Sequence, residues 1–175
     1  PNIHDYYMAE AASTGSDHFV LPPSGDLYSY PGMMPDGVQD KYVDNVVEDM
    51  GDMNTNGVVS WEWFYSWRSA INVYFPKFSS KVKQCGFFLT NVPFQIPVLL
   101  FKKNEDYKIV GERANVVLFK PFEWRGTGGK NKETLTVADM ADEINASRKG
   151  SVRGMYITSD GGANINTVYE LVAVS

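Results

Sequence analysis

Val59-Ser60-Trp61-Glu62-Trp63-Phe64-Tyr65-Ser66-Trp67-Arg68-Ser69-Ala70-Ile71-Asn72-Val73-Tyr74-Phe75 is the stretch on which the fold turns, because two hydrophobic periods compete in it. Odd positions put Val59, Trp61, Trp63, Tyr65, Trp67, Ile71, Val73 and Phe75 on one face, the period of two that marks a strand. Trp61, Phe64, Ile71, Tyr74 and Phe78 also fall on a helical stripe. Composition separates the two: Trp, Tyr, Phe, Val and Ile dominate while Ala and Leu hardly appear, and such residues favour strands. The expectation is one long or bent strand, or two strands meeting near Ser69.

Downstream, the short apolar runs Phe87 to Thr90, Phe94 to Phe101, Tyr107 to Val110 and Asn115 to Phe119 read as further strands. Pro93 and Pro97 push the second of these to a sheet edge, since proline cannot donate to the ladder. Thr134 to Ile144 is helical in spacing, with Thr136 and Asp139 forming a cap and Arg148-Lys149-Gly150 a stop, so a late helix is predicted over about 136–148. Gly154 to Thr158, a turn at Asp160-Gly161-Gly162 and Thr167 to Val174 spell a terminal hairpin.

Upstream, Tyr42, Val43, Val46, Val47 and Met50 recur at helical spacing and predict a helix over about 39–50. Residues 1–37, rich in proline and glycine, read as an extended arm. Its aromatics Tyr6, Tyr7, Phe19, Tyr28 and Tyr30 imply that it lies against a surface. The predicted fold is mainly β, an antiparallel sandwich or jelly-roll-like packing in a single domain over 38–175, with the two helices as additions.

The 175 residues suffice for a sizeable core, and 43% of them are hydrophobic. A net charge of -5 with scattered Lys and Arg argues against nucleic-acid base readout. No run of about 18 apolar residues is present, so no membrane span is expected. Cys85 is the single cysteine, which removes any intramolecular disulfide and any cysteine-based zinc site. The chain starts at Pro1 without Met, as a processed product or a piece of a longer polypeptide would.

Asp52-Met53-Asn54-Thr55-Asn56-Gly57-Val58-Val59-Ser60-Trp61-Glu62-Trp63 resembles the calcium loop of the EF-hand family. Asp52, Asn54 and Asn56 stand at positions 1, 3 and 5, Gly57 at 6, the Val58 carbonyl at 7 and Ser60 at 9. Position 12, where the family has a bidentate Glu, is Trp63, and Glu62 lies one residue early. Calcium is the one cofactor the sequence suggests, and an Asp/Asn-rich turn is the competing reading.

Catalysis is not expected. The only histidines, His4 and His18, lie in the arm, where Ser16-Asp17-His18 are sequence neighbours rather than an assembled triad. Gly126-Thr127-Gly128-Gly129-Lys130-Asn131 lacks the spacing of a phosphate loop and the Ser or Thr after its lysine. Asn145-Ala146-Ser147 is a glycosylation sequon, of use only on a secretory route.

Trp61, Trp63, Tyr65 and Trp67 on one strand face would make a platform for a sugar or a partner protein, if exposed. The aromatic arm, the short strands, the edge segment Val92 to Pro97 and the terminal strand Val168 to Val174 give the chain a general resemblance to coat or protruding domains of small icosahedral RNA viruses. That resemblance implies a capsid component at the virion surface, assembling with itself or with sister subunits and attaching to a host. The alternatives are an extracellular glycan- or protein-binding module with structural calcium, and a degenerate EF-hand calcium-binding protein.

Overall fold

The computed structural model describes residues 2–90, 99–126, 134–146, 150, 152–157 and 164–174. The chain divides into two compact units, one of Pro1–Phe87 with Ile109–Val117, the other of Phe88–Lys108 with Leu118–Ser175. Helix occupies 45% of the structure and strand 15%, which overturns the mainly-β sandwich or jelly-roll.

In the first unit, α1 (Ile3–Thr14) starts at Asn2, whose side chain accepts from Asp5 N, and stops at Gly15 with a left-handed φ of 67°. The arm expected over 1–37 thus begins with a capped helix. A 3-10 turn at Pro31–Met33 precedes α2 (Asp36–Asp52), which occupies the stretch where spacing placed a helix over 39–50. Gln39, Tyr42, Val43, Val46 and Met50 form its buried face.

The aromatic stretch is where composition misleads. Only Gly57–Ser60 is a strand (β1), and from Trp67 the chain is helical. An α-helical turn at Trp67–Ser69, a π turn at Ala70–Tyr74 and a 3-10 turn at Phe75–Ser80 follow one another and are together called α3. Trp67, Ala70, Tyr74, Phe75 and Phe78 are buried, the three- and four-residue spacing of one helix face. Pro76 cannot donate a helical hydrogen bond, and the change of winding around it accommodates that loss. The bulky rings therefore fill a core: Phe87 stands 4.6 Å from Phe75 and 4.9 Å from Phe78 between ring centroids, and Tyr74 is 5.4 Å from Phe78. Strand propensity reflects packing on a pleated surface, and the same rings pack equally well from a helix.

Strands β2 (Cys85–Leu89), β3 (Tyr107–Val110) and β4 (Val116–Phe119) complete a sheet ordered β1-β2-β4-β3. The unit boundary passes through all three of these strands. Of the predicted strand Phe94 to Phe101, residues 94–98 lie outside the described residues.

In the second unit, β5 (Glu123–Trp124) pairs in parallel with β6 (Tyr156–Ile157). Helix α4 (Val137–Asn145) lies where a late helix was expected over 136–148, with Thr136 Oγ1 accepting from Asp139 N at 3.2 Å. The stop at Arg148 and Lys149 lies outside the described residues. The terminal hairpin is corrected: its second arm is a helix, α5 (Ile165–Val174), and its turn at 160–162 lies outside the described residues. Asn164 Oδ1 accepts from Asn166 N and Thr167 N at the helix start, and Thr167 and Leu171, one helical turn apart, are the buried pair. Leu171 joins Trp124, Met140 and Ala141 in this unit's core, where Trp124 Nε1 donates to Leu135 O at 2.9 Å.

Candidate functional site

Within the first unit, residues 21–33 run beside 57–66. Leu21 N donates to Gly57 O and Val59 N to Leu21 O, both at 2.9 Å, a parallel bridge opposite Val58. The Ser24 hydroxyl accepts from Trp61 N at 3.0 Å and lies 2.9 Å from both Trp61 O and Ser29 O. Gly25 has φ 108°, and a Cβ there would stand 2.7 Å from Val46 Cγ2, so the turn requires glycine. The Tyr42 hydroxyl donates to Leu27 O at 2.8 Å.

This pairing gathers aromatic rings at the surface. Tyr28 meets Trp61 edge-on with centroids 4.9 Å apart, Tyr30 is 5.9 Å from Trp63, and Phe64 is 4.6 Å from Tyr65. Tyr65 is 82% exposed and Tyr28 66%, and Leu27, Met33, Trp63 and Phe64 are also exposed. The predicted stripe therefore splits: Trp63 and Tyr65 face outward, Trp61 is half-buried, and Trp67 is a core residue at 1% exposure. Leu27, Tyr28, Tyr30, Met33 and Phe64 complete the face and were missed in the stripe, because they come from the neighbouring segment or from even positions. The one sequence signal for them was the aromatic content of residues 1–37.

Beneath the rings lies Glu62, fully buried. Its Oε1 accepts from Gly32 N at 2.6 Å and its Oε2 from the Ser66 hydroxyl at 2.5 Å. Burial pushes its carboxyl up to about 7, against the lowering effect of these two donors. Gln39 Nε2 donates to Pro31 O at 2.8 Å and holds the same loop. A carboxyl poised near neutrality is the mark of many acid-base sites, but this one has no surface through which to touch a substrate. Its role is to fasten the 28–33 loop under the aromatic face.

The calcium loop has the helix-loop-strand-helix order of an EF-hand, α2, β1 and α3, while its candidate ligands differ in exposure and in the partners they already hold. Asp52 is the exposed last residue of α2, and Asn54 is exposed with φ 46°. Asn56 is exposed and its backbone carbonyl accepts from Gly86 N at 2.8 Å. Val58 and Ser60 are buried in β1, and Glu62 is committed to Gly32 and Ser66. Thr55 closes the turn instead, donating to Phe19 O at 2.5 Å and accepting from Gly57 N at 3.2 Å. Among the described residues no group of three or more His, Cys, Asp or Glu is placed to hold a metal.

His4 and His18 are exposed, and His4 Nδ1 lies 3.3 Å from the carboxylate of the adjacent Asp5. Cys85 is buried, and burial pushes its thiol up to about 12, so it is not a nucleophile at neutral pH. Of the glycine loop, residues 127–131 lie outside the described residues, as does Ser147 of the sequon. No helix among the described residues is long and apolar enough to cross a membrane. No protein-family model, curated protein or solved structure matches the chain significantly.

Proposed function

We propose that the chain is a non-enzymatic binding domain whose aromatic face docks a protein partner. The observation that carries this reading is the joint exposure of Tyr28, Met33, Trp63, Phe64 and Tyr65 on two segments fastened together from below by Glu62. Contiguous exposed apolar surface of this kind marks interaction sites. Aromatic residues, Met and Arg are the types enriched at protein interfaces, and Arg68 is exposed one residue beyond Trp67. A glycan is favoured less, because its flat faces stack on open ring faces, whereas these rings meet edge-on or tilted, at 70°, 57° and 76°. The coat-protein resemblance drew in part on a terminal strand Val168 to Val174, which is helical in α5, and the proposal rests on the aromatic face alone.

Selection of displayed random peptides on the folded chain tests the reading. Apolar peptides that bind the native chain and are lost on the Trp63→Ser/Tyr65→Ser double variant support it. Glycan-array binding lost on Trp63→Ala, with no peptide selected, would replace the protein partner with a sugar.

A further inference from the structure

The Ser66 hydroxyl has two acceptors within reach and one hydrogen to give. Its Oγ stands 2.5 Å from Glu62 Oε2 and 2.9 Å from Trp63 O. With a proton on Oε2 every group is served: Gly32 N donates to Oε1 at 2.6 Å, Oε2–H donates to Ser66 Oγ, and the Ser66 hydroxyl donates to Trp63 O. Without that proton, Ser66 turns to the carboxylate and gives up Trp63 O. No cation makes good the loss. Glu62 is fully buried, and among the described residues no Lys, Arg or His forms an ion pair with it. The turn Pro31–Met33 and β1 carry no charged side chain, and Arg68 of α3 is exposed. The titratable groups that feel the Glu62 charge are Tyr42 on α2 and Tyr74 on α3, phenols that burial keeps neutral. Gly32 is half-buried and Met33 exposed, so lifting this one turn lets water reach Oε1.

We propose that Glu62 and Ser66 form a proton-operated latch on the 28–33 loop: the carboxylic acid holds the Pro31–Met33 turn shut, and ionisation releases it together with Tyr28 and Tyr30, which lean on Trp61 and Trp63. The proton passes to bulk water, and only the O–H bond is broken. Burial pushes the closed carboxyl up to about 7, whereas the opened, hydrated group titrates near its ordinary 4.5. Opening therefore releases a proton between those values, grows as pH rises through them and levels off above the upper one. As regulation of the aromatic face the latch rests on the docking reading; as a conformational device it stands without it.

Hydrogen exchange of the Gly32 amide, followed by NMR on the full chain and corrected for the intrinsic pH dependence of exchange, tests the latch. Its protection should fall by roughly tenfold or more from pH 5 to pH 8. It should also stay well below that of the Val46 amide in the buried face of α2, which opens only with the whole unit. Glu62→Gln, whose amide offers the acid's pattern of an acceptor to Gly32 and a donor to Ser66, should keep Gly32 protection constant over that range. Histidines also change charge there, so His4→Gln/His18→Gln should retain the wild-type fall. If Glu62→Gln fails to fold, the wild-type chain decides: Gly32 protection levels off at the pH where the Glu62 carboxyl carbon shift has its midpoint, and a mismatch overturns the latch. Protection indifferent to pH, or equal at Gly32 and Val46, also overturns it. Peptides selected on the native chain should bind more tightly at pH 5 than at pH 8, and bind Glu62→Gln equally at both. A working latch with no peptide bound at either pH removes the docking reading and leaves the latch; peptides bound equally at both overturn its control of the face.

Discussion

Gly32 donates its backbone N–H to the buried Glu62 carboxylate at 2.6 Å, a contact that spans 30 residues of sequence. A Cβ on Gly32 would stand 2.8 Å from Ser66 O and 2.9 Å from Glu62 Oε2. The close approach is possible only without a side chain. Gly32→Ala should cost roughly 1–3 kcal/mol, the usual range for overpacking, and thermal unfolding monitors the loss. An unchanged melting temperature would show that the loop yields freely.

Glu62 should make stability depend on pH in an unusual direction. Its carboxyl titrates near 7 in the fold against 4.5 ordinarily, so between those values the folded chain keeps a proton that the unfolded chain releases. Stability conferred by the neutral form is therefore present below about pH 4.5, falls as pH rises, and is lost above about 7, a change on the order of 3 kcal/mol. Glu62→Gln retains an acceptor for Gly32 N without the titration. Urea unfolding at pH 5 and pH 8 should show the decline in the wild-type chain and not in the variant; parallel profiles would refute the assignment.

Trp67 and Tyr65 should behave as opposites despite lying two residues apart. Trp67→Ala empties a core position and should cost about 3–5 kcal/mol, whereas Tyr65→Ala should stay within about 0.5 kcal/mol. Equal losses at the two positions would mean that the helical facing of α3 is wrong.

Asn115 offers a fourth test. Its Nδ2 points at the carbonyls of Ser79, Val82 and Lys83 at 3.1, 2.8 and 3.2 Å, and its Oδ1 accepts from the Ser79 hydroxyl at 2.6 Å. Asn115→Asp preserves shape but replaces the donor with a negative oxygen facing those carbonyls. A loss of roughly 1–3 kcal/mol is expected at neutral pH, partly recovered when acid protonates the new carboxyl. No recovery in acid would assign the damage to packing.

Calcium should leave the melting temperature where a chelator leaves it. A ligand bound to the native state raises stability by mass action, and both oxygens of Glu62, the acid nearest the loop's closing position, are already committed to Gly32 and Ser66. A shift of several degrees at millimolar calcium would reopen the loop as a site.

The two helices that sequence located, α2 and α4, each display one periodic face, and α4 carries its cap three residues from its partner. Residues 61–75 were ambiguous because aromatic side chains suit either period; only the burial of Trp67, Ala70, Tyr74, Phe75 and Phe78 resolves it. In the terminal segment, Thr167 and Leu171 carry the helical signal, but Val168, Val172 and Val174 imitate a strand. Helix α1 was concealed by the prolines and glycines that follow it. The aromatic face was half legible: Trp63 and Tyr65 stood out as a stripe, whereas the pairing of Tyr28 with Trp61 and of Gly32 with Glu62 joins segments some thirty residues apart and has no local signature.

Because each unit is assembled from two separated stretches, the order of synthesis constrains when each can close. The first unit lacks Asn115 and Val116 until residue 117 has emerged, and by then the opening stretch of the second unit, Phe88–Lys108, is already outside the ribosome. A polypeptide ending at Phe87 would lack part of its sheet, so no single cut, by a protease or by a stop codon, separates two complete units.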